Sequence, residues 1–313
     1  MSHLTPKVNR IIIKQSVNWH PVLLNIMSLA GIHADTLSFR KRGQAALWLF
    51  RKISRQYHII YHLSGCSAPF CLLARLCGKR MICHWTGSDT LRFQGKRSLF
   101  RRMGIWVQRN LVDLQMADSE IIQKELKEVG IEAHLLRLLP KTILGKITDL
   151  PEQPVVLSYW NDKRFDFYNG PLVFKLAEDY PKVKFLIALA TGKDLTQVPK
   201  NVHFLGQVSN MSDIYHKCTC LVRMPRHDGL SAMVLEAMAH GRYVIYNQKC
   251  LYTNFAEDYN SARQALEKIL RKTQPNFEGA EYVGQNFNTE REALELRRLL
   301  EFAFGEITTD NPQ

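Results

Sequence analysis

The chain has 313 residues, 46% of them hydrophobic, which exceeds what one core comfortably uses, so two domains are expected. Lys and Arg number 42 against 29 Asp and Glu, a formal net charge of +13. The longest apolar stretches, such as the one around residues 21–32, are interrupted by polar residues short of the ~18 needed to cross a bilayer, so a soluble globular protein without a transmembrane helix is expected.

The first ten residues, MSHLTPKVNR, lack the basic region, apolar run and small-residue cleavage site of an export signal. Seven cysteines, an odd number with no C-x-x-C pair, fit a reduced compartment and speak against a zinc site, so a cytoplasmic location is expected. NRIIIKQ then reads as a strand, HPVLLNIMSLAGI as a helix and ADTLSF as a strand. The segment Phe39 to Tyr57 mixes cations with Trp, Phe and Leu at near-helical spacing. YHIIYHL, PFCLLARLCG and KRMICHW follow as strand, helix and strand, a βαβ pattern. A second basic and apolar segment runs from Arg92 to Leu111. From Met1 to Val112 there are eighteen Lys or Arg and only two acids, Asp35 and Asp89, a net +16; the remaining 24 basic and 27 acidic residues leave −3. The two segments have the character of amphipathic helices on an anionic surface, where each cation contributes about 1 kcal/mol. Peripheral attachment to the inner face of the plasma membrane is therefore expected. With neither zinc-finger spacing nor an RNP-type aromatic motif, nucleic acid is not an expected partner.

IIQKELKEVGI reads as a helix and HLLRLLP as a strand, and the aperiodic stretch Lys141 to Pro154, with prolines nearby, as a linker. A second alternating series follows: PVVLSYW strand, PLVFKLAEDY helix, KVKFLIALA strand, NVHFLG strand, MSDIYHKC helix, TCLVRM strand, LSAMVLEAMAHG helix and RYVIYN strand. Two such α/β units imply two Rossmann-like domains, residues 1–147 and 148–288, facing a central cleft with ligands at the carboxyl ends of the strands. A last helix, Thr289 to Phe304 within the tail 289–313, is expected to pack back on the first domain.

The most informative stretch is PRHDGLSAMVLEAMAHG, Pro225 to Gly241. A buried strand ends at Pro225, a short loop follows, Ser231 is placed to cap a helix running to His240, and Gly241 ends it. An anion would find unpaired N–H groups at that helix start. Gly229 lacks the side chain that would keep a ligand away from the backbone. Asp228 precedes the helix and Glu236 lies five residues beyond Ser231, about 7.5 Å along the axis. Two acids so placed can reach two parts of one elongated ligand, and carboxylates suit sugar hydroxyls because they accept several hydrogen bonds.

This segment resembles the signature of retaining GT-B-fold glycosyltransferases of family 4, in which two acids eight positions apart flank a glycine-containing turn and the second lies in Glu-Ala-Met-Ala-x-Gly. Asp228, Gly229, Glu236, Ala237, Met238 and Gly241 carry the match. The resemblance implies that Asp228 holds donor-sugar hydroxyls, that the amides of Gly229, Leu230 and Ser231 approach sugar and diphosphate, and that Glu236 binds the ribose. The first acid is Asp where the family more often has Glu. Gly170 matches a family glycine preceded by a diphosphate-binding Arg and Lys; Asn169 stands before it here, so Lys163, Arg164 and Arg223 are the expected substitutes. The backbone near Val208 would face the base. In the first domain His84 ends a strand where relatives carry a histidine near donor and acceptor, and Thr86, Gly87, Ser88 and Asp89 would form the adjoining acceptor-side loop. The loop QSVNWHP after the first strand lacks the glycines that many relatives use near the diphosphate.

The implied reaction is transfer of a sugar from a nucleotide diphosphate sugar, UDP-sugar by family frequency, to a hydroxyl of a glycan or lipid-linked glycan in cell-surface polysaccharide or glycolipid synthesis. The chain holds no D-x-D triplet, so no metal and no cofactor are expected. No carboxylate is nominated as a nucleophile, which favours front-side transfer with His84 and Asp228 nearest the chemistry. A GT-B-type epimerase and an inactive nucleotide-sugar-binding protein are the alternatives.

Overall fold

Three consecutive isoleucines, stiff at χ1 and suited to a buried parallel strand, form β1 (Ile11–Lys14), an interior strand of the first sheet. The computed structural model describes residues 10–14, 19–37, 55–93, 98–140, 143 and 145–307. Residues 39–54 of the first basic segment, 94–97 of the second and 15–18 of the loop after β1 lie outside the described residues. After β1 come α1 (His20–Leu29), β2 (Ala34–Leu37), β3 (Ile59–Leu63), α2 (Ala68–Leu76), β4 (Arg80–Trp85), α3 (Leu99–Leu111), β5 (Leu114–Ala117), α4 (Glu120–Glu128) and β6 (His134–Leu135). Ser98 and Ser119 cap α3 and α4, accepting from the amides of Arg101 and Ile122.

Among the described residues the strands pair in parallel in the order β2-β1-β3-β4-β5-β6. Side chains alternate between the two faces. Ile11, Ile13, Ile59, Tyr61 and Ile82 join α1 and the last helix, α10 (Thr289–Phe304), in one core cluster. Ile12, Ile60, Met81 and Cys83 meet α2, α3 and α4 in another. Leu296, Leu299, Leu300 and Phe304 of α10 are buried against α1, each worth about 2 kcal/mol of burial. The last helix therefore belongs to the first compact unit, residues 1–139 and 289–313.

The second unit, residues 140–288, carries β7 (Val155–Trp160), α5 (Gly170–Asp179), β8 (Lys184–Leu189), β9 (Val202–Gly206), α6 (Met211–Tyr215), β10 (Cys220–Arg223), α7 (Ala232–Ala239), β11 (Tyr243–Tyr246), β12 (Asn254–Phe255), α8 (Tyr259–Ile269) and α9 (Phe277–Asn286). Its parallel order is β12-β11-β10-β7-β8-β9. Two parallel sheets, both flanked by helices, make the α/β architecture of two Rossmann-like units.

The contact boundary falls between Leu139 and Pro140, not at 147/148. The intervening residues belong to the second unit because they pack on it: a Cβ on Gly145 would come 2.6 Å from the Ala239 backbone, and the fully buried Arg242 guanidinium donates to the carbonyls of Thr148 and Asp149. The segment HLLRLLP contributes only the two-residue β6, and β5, β12, α8 and α9 appear without having been predicted.

Candidate functional site

In the second sheet β7 leads through α5 to β8 on one side, while β10 leads through α7 to β11 on the other. Helices α5 and α8 share a core cluster with Val156, Trp160 and Val222; α7 lies outside that cluster and packs on β10, β11 and α9. The connections therefore part beyond the carboxyl ends of β7 and β10, the switch point at which doubly wound sheets bind ligands.

Arg223 is the last residue of β10. Its Nε donates to Asp228 Oδ2 at 2.8 Å, and the two side chains are only 9% and 12% exposed. Burial opposes the charged guanidinium, but the Asp228 carboxylate outweighs it and raises the Arg223 pKa. The guanidinium carbon lies 5.0 Å from the Tyr168 ring centre and 5.7 Å from that of Tyr159. Arg164 covers Phe167 at 3.9 Å and Tyr168 at 5.4 Å, so two guanidinium groups flank one tyrosine. The amide of Arg226 donates to the Phe167 carbonyl at 2.8 Å and ties the loop after β7 to the loop after β10. Tyr246 Oη donates to the Gly229 carbonyl at 2.8 Å, and Asn247 Nδ2 to that of Pro225 at 2.6 Å. Among the described residues, Arg223 Nη1 and Nη2 and Asp228 Oδ1 make no further hydrogen bond. A donor pair and an acceptor thus stand side by side, suited to an oxyanion and a polyol.

Helix α7 begins after Ser231, whose backbone is extended at φ −70° and ψ 126°. The expected cap is corrected in one respect: Ser231 occupies the position, but its hydroxyl accepts no amide of the helix. Gly241 stops the helix at φ +73°, with its N–H on the Met238 carbonyl and that of Arg242 on Ala237, the paired bonds of a Schellman ending. Glu236 is buried in the helix and accepts from Tyr215 Oη at 2.7 Å, which fixes one carboxylate oxygen.

Lys163 is exposed in the 3-10 turn Asp162–Arg164. That turn is held by Asp162, whose pKa is lowered by bonds from the Gly192 amide and from Thr191. Gly170 starts α5 with the Phe165 ring packed where its Cβ would stand, which explains the glycine by packing. Val208 lies in the turn between β9 and α6. The structure therefore sets Arg164 and Arg223 on the Tyr168 ring, pairs Arg223 with Asp228 directly ahead of Gly229, and leaves Lys163 in the adjoining turn. Sequence reasoning missed Tyr159, Tyr168, Tyr215 and Tyr246.

In the first unit His84 is the expected residue that the structure corrects. It is fully buried on the α1 and α10 face, with Nδ1 2.8 Å from Tyr61 Oη and Nε2 2.8 Å from the Leu136 carbonyl. Burial lowers its pKa to about 4. Both ring nitrogens are engaged and none of the side chain reaches a ligand surface, so it stabilises the core. Thr86, Gly87, Ser88 and Asp89 follow β4 in a turn in which Asp89 Oδ2 accepts from Thr86 N and Oγ1. Burial raises the Asp89 pKa. Helix α3 buries Val107 and Gln108 and exposes Leu99 at 78%, Phe100 at 80%, Met103 at 43% and Trp106 at 54%, interleaved with Arg101, Arg102 and Arg109. Among the described residues no helix is long and apolar enough to cross a membrane, and no set of three or more His, Cys, Asp or Glu side chains is gathered to hold a metal.

Residues 159–257 match the family model described as glycosyl transferases group 1. No curated protein matches the chain in sequence. Among solved structures, Anabaena HepE in complex with UDP-glucose superposes with a TM-score of 0.72 at 12% identity, covering 94% of this chain and 99% of that one. Sucrose-phosphate synthase from Thermosynechococcus elongatus gives 0.75 at 15% identity, with 95% and 99% covered. A putative UDP-N-acetylglucosamine 2-epimerase from Listeria monocytogenes gives 0.56 at 10%, with 96% and 99% covered. At these identities the likeness is one of fold.

Proposed function

We propose, for a chain that resembles the group 1 glycosyltransferases over residues 159–257 and has the GT-B fold, that it is a retaining glycosyltransferase using a UDP-sugar donor. The acceptor is a hydroxyl of a glycan or lipid-linked glycan in cell-surface polysaccharide or glycolipid synthesis. The observation that carries this reading is the Arg223–Asp228 pair at the switch point of the second sheet, directly ahead of the helix that holds Glu236. Asp228 Oδ1 accepts from the donor sugar, and Glu236, aligned by Tyr215, from the ribose. The Nη groups of Arg223, with Arg164 and Lys163, offset the diphosphate charge, helped by the Gly229 and Leu230 amides. The base lies along the backbone at Val208, and the Thr86 to Asp89 turn belongs to the acceptor side. As the bond from the anomeric carbon to the diphosphate oxygen breaks, the acceptor oxygen bonds the same face of that carbon. The acceptor proton passes to the leaving phosphate oxygen, and UDP departs. Charge stabilisation by these cations requires no metal.

HepE is seen with UDP-glucose, which supports the choice of base. UDP-sugars at a hundred times their Kd are expected to raise the melting temperature by about 5–10 °C. Protection by GDP- or ADP-sugars alone would overturn the UDP assignment, and protection by none would overturn the donor site. Because the Listeria epimerase shares the fold, NMR of donor and protein without acceptor separates the two activities: a transferase leaves the sugar configuration of the donor unchanged.

Peripheral attachment to an anionic inner membrane face is part of the same reading, supported by the exposed apolar and cationic side chains of α3. The full chain is expected to float with vesicles containing anionic phosphatidylglycerol and to dissociate as salt rises. Replacing Phe100 and Trp106 by Ser together should reduce flotation about tenfold or more. Equal recovery with neutral and anionic vesicles, or none with either, contradicts it.

A further inference from the structure

Between β7 and α5 the chain coils into short turns. Arg164 N donates to the Asn161 carbonyl, Tyr168 N to that of Arg164 and Gly170 N to that of Phe165. Phe165 anchors these turns in the core, its ring centre 5.6 Å from that of Trp160 and 5.0 Å from that of Phe174. A spacing of four in a helical turn brings side chains together, and the Arg164 guanidinium lies 5.4 Å from the centre of the Tyr168 ring. The Arg226 amide, bonded to the Phe167 carbonyl, ties these turns to the loop after β10, so the same ring also meets Arg223, 5.0 Å away. Tyr159 stands edge-on to Tyr168, at 5.8 Å and 85°, and fixes the plane of the ring.

Two guanidinium groups on one ring repel each other, and the Asp228 carboxylate pairs with Arg223. Among the described residues the Arg164 side chain makes no ion pair or hydrogen bond, and its charge rests on the rings of Phe167 and Tyr168. The acids of the same turns do not serve it: Asp162 accepts from Thr191 and Gly192, and Asp166 is exposed and forms no ion pair among the described residues. The two cations thus lack one anion, and the N–H groups of Arg164 and the Nη groups of Arg223 face no competing acceptor. The π-electrons of Tyr168 keep both groups together without neutralising either. Among the described residues the Tyr168 hydroxyl makes no hydrogen bond, so the ring is what acts on them.

We infer that Tyr168 is a positioning residue, whose ring holds Arg164 and Arg223 side by side so that each guanidinium takes one of two linked phosphates. The inference rests on the donor reading given above and adds a specificity to it. A nucleoside diphosphate uses both cations and a monophosphate of the same nucleoside only one, so Tyr168 sets the preference between them. Every residue involved belongs to the second unit.

Calorimetry on the full chain with UDP and UMP is the test. Tyr168→Leu should weaken UDP about tenfold and UMP distinctly less, while Tyr168→Phe, which keeps the ring, retains most of the affinity for both. In an Arg164→Met background the further change Tyr168→Leu should cost less than it does alone, because one of the two groups that the ring holds is already gone. A tyrosine that merely packs would leave the ratio of UDP to UMP affinity unchanged and give additive losses. Should Tyr168→Leu fail to fold, the Nε–H resonances of Arg164 and Arg223 in wild type report directly: both should shift with UDP and stay in place with uridine. A folded Tyr168→Leu that keeps the wild-type ratio, or an Arg164 resonance unmoved when UDP is bound, overturns the inference and leaves the donor reading standing. A wild type that binds neither nucleotide overturns the donor reading, and this inference with it.

Discussion

Sugar transfer falls by about two to three orders of magnitude in kcat/KM when Asp228 is replaced by Ala, measured with the UDP-sugar that best protects the chain. The substitution removes the acceptor Oδ1 from the proposed donor site and leaves Arg223, buried and flanked by Tyr159 and Tyr168, without its counter-ion. Breaking such a pair from one side costs about 3–5 kcal/mol of stability, so a melting curve has to accompany the kinetics. Asp228→Asn separates the contributions by keeping a carbonyl acceptor for Arg223 while removing the charge. Glu236→Gln preserves an acceptor for Tyr215 and should act chiefly by raising KM for the donor, because ribose contacts are equally present in the ground and transition states. If Asp228→Asn and Glu236→Gln both leave KM and kcat unchanged, neither residue touches the donor.

The second large effect is acid destabilisation. His84 and His62 are buried and neutral, each with a pKa near 4 against the ordinary 6.5; burial is the main cause at both, and the Lys14 charge adds to it at His62. Between these values the unfolded chain binds protons that the folded chain refuses. The resulting stability is complete above about pH 6.5, declines as pH falls towards 4 and levels out below. Each histidine contributes about 3 kcal/mol to that decline. Urea unfolding at pH 7.5 and pH 4.5 should show the loss, and His84→Gln should remove about half of the pH dependence while itself lowering stability at neutral pH. A midpoint that stays constant from pH 7.5 to 4.5 contradicts the buried, neutral assignment.

The alternating α/β order was legible because buried parallel strands such as IIIK, YHIIYHL and KRMICHW stand out as short β-branched and aromatic runs. β5, Leu-Gln-Met-Ala, has no β-branched residue and owes its conformation to pairing between β4 and β6. α8 did carry a local signal, the Asp258–Ser261 capping box. At the candidate site, Asp228 to Gly241 could be read because strand end, loop and helix are contiguous. The tyrosines that brace it come from β7, the loop after it, α6 and β11, and only the fold brings them together. His84 shows the opposite failure. Its place at a strand end was correctly read, but alternation turns it towards Tyr61 and the α1 face, while His62 on the neighbouring strand faces the other side with Lys14.

Under the proposed function Pro225 to Gly241 holds a nucleotide sugar with Asp228 at the sugar and Glu236 at the ribose, and titration of UDP into the intact chain probes that arrangement. The prediction is saturable binding that survives in Asp228→Asn, which lies at the sugar end, and weakens at least tenfold in Glu236→Gln. UDP binding that is absent from wild type, or equally strong in Glu236→Gln, would contradict it.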